Sequence, residues 1–99
     1  MMITHTKLRV ANLSSDYIEN IEVKAANEII WTGRLRSKLA KNIWFNSKRD
    51  GSIQMTGVVQ GKVINSGGLG YVTPNYGDRK LLIYHGNNEF DLKALPENP

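Results

Sequence analysis

No cysteine occurs in the 99 residues, which excludes disulfide staples, thiolate nucleophiles and thiolate metal sites. A chain without disulfides suits a reducing compartment, and the expected location is the cytoplasm. Histidine is almost as scarce, with only His5 and His85. They lie far apart in unrelated contexts, so no pair has the spacing of metal ligands, and neither a metal nor another cofactor is expected. Long apolar runs are missing too. Nothing approaches the roughly 20 residues that span a bilayer, and Met1 to Lys7 lacks the apolar core and cleavage signal of a secretory leader. No membrane partner is expected.

What remains is the composition of a small globular chain. Apolar residues make up 40% and charged residues 22%, well clear of a disordered segment. The length fits one domain over residues 1–99, with flexible ends near 1–5 and 94–99. A net charge of +4 raises the expectation of an anionic partner only modestly, because such a value also serves solubility.

The pattern is that of strands. Ile43 and Phe45 alternate with polar residues before Asp50-Gly51, and Ile53, Met55 and Val59 alternate after it, which reads as a hairpin. A two-residue loop would set polar side chains opposite apolar ones. A three-residue loop, Arg49-Asp50-Gly51, pairs Phe45 with Met55 and uses Gly51 as the left-handed residue of a bulged turn. Trp44 then points to the opposite face.

Other segments follow the same alternation. Leu8 and Val10 form a first strand, with Lys7 and Arg9 on its wet face guarding an edge. Asn12 to Asp16 is a turn whose side chains bond their own backbone. Its Asn12-Leu13-Ser14 sequon would matter only in a secreted eukaryotic protein. Ile21, Val23 and Ala25 mark a second strand. Ile29 to Thr32 and Lys80 to Tyr84 are apolar on both faces and read as central strands. Arg34 to Asn42 reads as a crossing loop between sheets rather than a short amphipathic helix. Gln60-Gly61 is a tight turn setting Val58 opposite Val63. A four-residue turn at His85 to Asn88 sets Ile83 opposite Phe90 and Leu81 opposite Leu92. Seven to nine short strands of this kind predict an all-β fold: a small antiparallel β-sandwich of immunoglobulin-like form, with a partly open β-barrel as the alternative.

Chemistry is hard to find. Glu89 and Asp91 share a strand face as paired catalytic carboxylates do, but a solvated face explains their alternation. Gly67-Gly68-Leu69-Gly70 lacks the Gly-Lys-Ser/Thr ending and helix of a phosphate loop. Ser14 and Ser15 have no visible base, and His85 reads as a surface residue beside a turn. We therefore expect no enzyme.

Two recognition surfaces stand out. Tyr71, Tyr76 and Tyr84, with Trp44, offer amphipathic contact area for a protein partner or a second copy of the chain, and a homodimer is preferred to a monomer. Arg34, Arg36, Lys38, Lys41 and Lys48 flank Trp44 with no acid among them, the combination that single-stranded nucleic-acid binders use. The expected role is non-catalytic protein recognition or a structural module, with a small nucleic-acid binder as the alternative.

Overall fold

The computed structural model describes residues 6–46, 48–72 and 79–95. Nine strands follow in order: β1 Thr6–Asn12, β2 Ile18–Ala25, β3 Glu28–Leu35, β4 Ala40–Phe45, β5 Gly51–Val59, β6 Lys62–Asn65, β7 Leu69–Val72, β8 Arg79–Gly86 and β9 Glu89–Ala94. They build two packed sheets, a β-sandwich without a closed barrel. Sheet A has the order β4-β1-β8-β9, and sheet B the order β3-β2-β5-β6 with β7 also on β5. All pairs are antiparallel except β1 with β8, which run parallel. Among the described residues no helix is long and apolar enough to cross a membrane.

Period-two alternation decides what is buried. Leu8, Val10, Ile43, Leu82 and Tyr84 point inward from sheet A and meet Ile18, Ile21, Val23, Ile53, Met55 and Val72 from sheet B. Each large apolar side chain withdrawn from water contributes about 1.5–3 kcal/mol before the entropy of ordering is charged against it.

The expected hairpin between Phe45 and Met55 does not form. β4 pairs with β1 in sheet A, Phe45 lying opposite Thr6, while β5 pairs with β2 in sheet B, Met55 lying opposite Val23. The chain between β4 and β5 therefore passes from one sheet to the other. The two apolar sets do face one core, but from opposite sides of it. Gly51 is not a left-handed turn residue either. It opens β5 at a close approach, where an added Cβ would lie 2.5 Å from the Ala26 Cα.

Other registers were closer to expectation. Gln60 and Gly61 both take positive φ, 51° and 76°, and Val58 pairs with Val63 as the turn chemistry requires. At the last hairpin the turn is instead the two residues Asn87-Asn88, with φ of 55° and 58°, and a bulge lies between Tyr84 and Gly86. Tyr84 thus faces Phe90 and Leu82 faces Leu92, one residue away from the expected register. β3 is an edge strand rather than a central one, leaving Ile29 exposed, whereas β8 is central. β1 is central as well, so Lys7 and Arg9 guard no edge. A crossing between sheets is present as expected, but it is confined to residues 36–39, since Arg34 and Leu35 end β3 and Ala40 to Asn42 open β4. The expected turn from Pro74 to Asp78 and the terminal residues 1–5 and 96–99 lie outside the described residues.

Asn12 locks one crossing. Its fully buried side chain donates from Nδ2 to the carbonyls of Asp16 (2.7 Å) and Leu35 (3.1 Å), and its Oδ1 accepts from the Ser14 N–H (3.1 Å) and hydroxyl. Ser37 Oγ donates to the Ser14 carbonyl at 2.6 Å, and the Asn12 N–H to the Leu39 carbonyl at 2.9 Å. The expected self-bonding turn at 12–16 thus also ties down the loop that delivers β4 to the side of β1.

Candidate recognition surface

Inward-facing residues in sheet A leave the alternate positions on its outer face. On β1 these are Lys7 and Arg9, on β4 Asn42 and Trp44, on β8 Arg79 and Leu81, and on β9 Asp91 and Lys93. Register fixes their neighbours. Lys7 lies between Trp44 and Arg79, and Arg9 between Asn42 and Leu81, with Lys93 beyond Leu81. Four cations thus share one face although 86 positions separate the first from the last.

Contacts order this cluster. The Lys7 ammonium sits over the Trp44 ring, 5.1 Å from its centroid, and Trp44 is 59% exposed. Arg9 Nε donates to Asn42 Oδ1 at 2.8 Å. That bond uses one lone pair of the amide oxygen and leaves its two N–H groups as donors. Asp91 shares this face two residues before Lys93 on β9, and it meets His85 Nε2 at 3.2 Å. Among the described residues no carboxylate pairs with Lys7, Arg9, Arg79 or Lys93.

Charge separates the two sheets. The strands of sheet A carry Lys7, Arg9, Lys41, Arg79, Lys80 and Lys93 against Glu89 and Asp91. Those of sheet B carry Lys24, Arg34 and Lys62 against Glu19, Glu22 and Glu28. The first sheet has an excess of positive charge, and the second is balanced. A groove of about 530 Å³ over β2 and β3 is lined by Glu19, Glu22, Thr32 and Arg34, so both signs occur on its walls.

The expected sites are dispersed. Tyr84 is a core residue, 2% exposed, with its ring 5.0 Å from that of Phe90, so it offers no surface to a partner. Tyr76 lies outside the described residues. Tyr71 is exposed, but on β7 of sheet B, whereas Trp44 is on the far edge strand of sheet A. The basic stretch is divided in the same way. Arg34 is on β3 of sheet B, while Arg36 and Lys38 belong to one crossing and Lys48 to the next. Those crossings flank the six residues of β4, a separation of about 20 Å. Lys38 also donates from Nζ to the Leu13 carbonyl at 2.6 Å. Lys41, the second residue of β4, lies opposite Val10, on the row whose later members turn inward. Of the expected residues only Trp44 joins the cluster. Lys7, Arg9, Asn42, Arg79 and Lys93 were missed as site residues because long-range strand pairing assembles them.

The catalytic candidates take structural places. Ser14 is buried and bonded to Asn12, and Glu89 and Asp91 are exposed on β9. Among the described residues no three His, Asp or Glu side chains are grouped to hold a metal.

No family model matches the chain, and no curated protein matches it. It is similar in structure to a protein from Eubacterium rectale solved by NMR, with a TM-score of 0.61 over 91% of this chain and 87% of that one. Identity between the two is 17%, so the likeness concerns the fold alone.

Proposed function

We propose that this chain is a non-catalytic recognition module that receives a negatively charged partner on the outer face of sheet A. The observation that carries the reading is the grouping of Lys7, Arg9, Arg79 and Lys93 beside exposed Trp44, on the sheet with excess positive charge. Opposite charge attracts a partner over several ångströms, and an exposed aromatic adds contact area at little entropic cost. An acidic protein segment and a nucleic-acid strand both satisfy that chemistry. A cytoplasmic setting and the finer description as immunoglobulin-like belong to the same proposal. A cysteine-free chain supports the first, and two facing sheets in about 100 residues support the second.

Retention on a heparin column tests the face. The variant K7E/R79E reverses two charges on sheet A, and R34E/K62E makes the same change in net charge on sheet B. We expect the first to elute at much lower salt than the unaltered protein and the second to elute close to it. Equal loss in both variants would mean that net charge alone binds, and the reading would fail.

A further inference from the structure

We infer that the occupant of this face is single-stranded nucleic acid, with Trp44 as the stacking platform and Lys7, Arg79 and Lys93 as phosphate contacts. The inference rests on the proposed function and names its partner class. The cluster is rich in donors: Lys7 and Arg9 on β1, Arg79 on β8, Lys93 on β9 and the two amide N–H groups of Asn42, against the single carboxylate of Asp91 beside Lys93. Such a surface calls for a partner dense in acceptors, and a phosphate backbone with base carbonyls supplies them.

Trp44 decides between the anionic classes. A carboxylate-bearing peptide satisfies the cations but brings no flat ring to the indole. A base stacking on Trp44 takes the place of the Lys7 ammonium above the ring, and at an exposed site base stacking is the stronger of the two contacts. Lys7, on its flexible four-carbon stem, is then free to follow that nucleotide's phosphate. Bases of a duplex are stacked on one another and cannot make this exchange, so single strands are preferred.

Size agrees. From β4 to β9 the patch crosses three strand spacings, about 15 Å, and the cations occupy two adjacent outward positions on β1, about 7 Å apart. That area is a fraction of the roughly 800 Å² each partner buries in a standard protein interface, whereas a few nucleotides fill it. Arg9 and Asn42 sit beside Trp44, where their remaining donors meet the edge of the stacked base or of its neighbour.

Fluorescence anisotropy with three labelled probes tests this: a 12-residue oligothymidylate, a duplex of equal length, and an oligoglutamate of matching charge. Three or four phosphate contacts give a salt slope of about −2 to −3 for a single strand, a loss of about 20- to 50-fold between 50 and 200 mM salt. We expect the oligothymidylate to bind tightest, Trp44→Ala to weaken it about tenfold, and Trp44→Phe to keep most of the affinity, with folding of each variant confirmed by amide spectra. Oligoglutamate or duplex binding as tightly as the single strand, or indifference to Trp44→Ala, would overturn the nucleic-acid inference while leaving an anion-binding face. Binding of none of the three probes at 50 mM salt would overturn both.

Discussion

Replacing Asn12 with alanine should cost this domain about 3 kcal/mol. The side chain is fully buried and makes four hydrogen bonds, to two backbone carbonyls, one N–H and one hydroxyl. Ser14 Oγ already lies 3.5 Å from the Asp16 carbonyl and can turn toward it, so the groups left without a partner are the Leu35 carbonyl and the Ser14 N–H. An orphaned buried group costs about 1–3 kcal/mol, which places the pair at about 2–6 kcal/mol before a water enters the gap. For a domain of this size each kcal/mol moves the melting temperature by about 4–8 °C, so the midpoint should fall by about 15 °C. Urea titration followed by tryptophan fluorescence should show a lower midpoint with an unchanged slope.

Asn12→Asp sharpens the test because it keeps the shape and replaces the Nδ2 donor with an oxygen facing two carbonyls. Burial raises the folded-state pKa of the new carboxyl above its unfolded value of about 3.9. The folded state then binds the proton more tightly, so the penalty is smallest below about pH 4 and grows as pH rises through the raised value. A loss below about 1 kcal/mol in both variants at neutral pH would refute the view that Asn12 holds the crossing.

Three further outcomes follow from the geometry. Gly51→Ala should destabilise by about 1–3 kcal/mol, since its new methyl meets the Ala26 backbone at 2.5 Å and neither strand can yield without breaking the Ala26 N–H to Ser52 carbonyl bond; a denaturation midpoint equal to that of the unaltered protein would contradict this. R36E/K38E should leave oligothymidylate affinity within about threefold, because that crossing stands apart from the cation cluster; a loss as large as that of K7E/R79E would return the site to the basic stretch. Self-association remains a proposal: the exposed edge of β3, with Ile29 turned outward, supports pairing of two copies, and light scattering should then give twice the chain mass at high concentration, against a constant single-chain mass if the edge is inert.

Local chemistry was legible in the sequence, and partner choice was not. Gln60-Gly61 set its register because both turn residues must take positive φ and the two strands are joined through them. Asp50-Gly51 sends the same signal, yet it bridges two sheets. Alternation at Ile43 and Phe45 states which face is buried and is silent on which strand lies alongside. At the last hairpin the bulge before Gly86 moved the register by one, an insertion the alternation alone does not reveal. The candidate site fared worse for the same reason. Trp44 was visible as an aromatic off the core face, but its neighbours Lys7 and Arg79 arrive through the pairing of β4 with β1 and the parallel pairing of β1 with β8. Clustering in sequence pointed instead to Arg36, Lys38 and Lys48, which strand geometry pulls to opposite ends of β4.

Amide chemical shifts of the labelled protein, followed during titration with the 12-residue oligothymidylate at 50 mM salt, test the central claim most directly. The account predicts saturable changes confined to the outer face of sheet A, at Lys7, Arg9, Asn42, Trp44, Arg79 and Lys93, together with a marked upfield movement of the Trp44 indole N–H from a stacked base. Changes centred on sheet B or on the crossings at Arg36 and Lys48, or no saturable change at all, would contradict it.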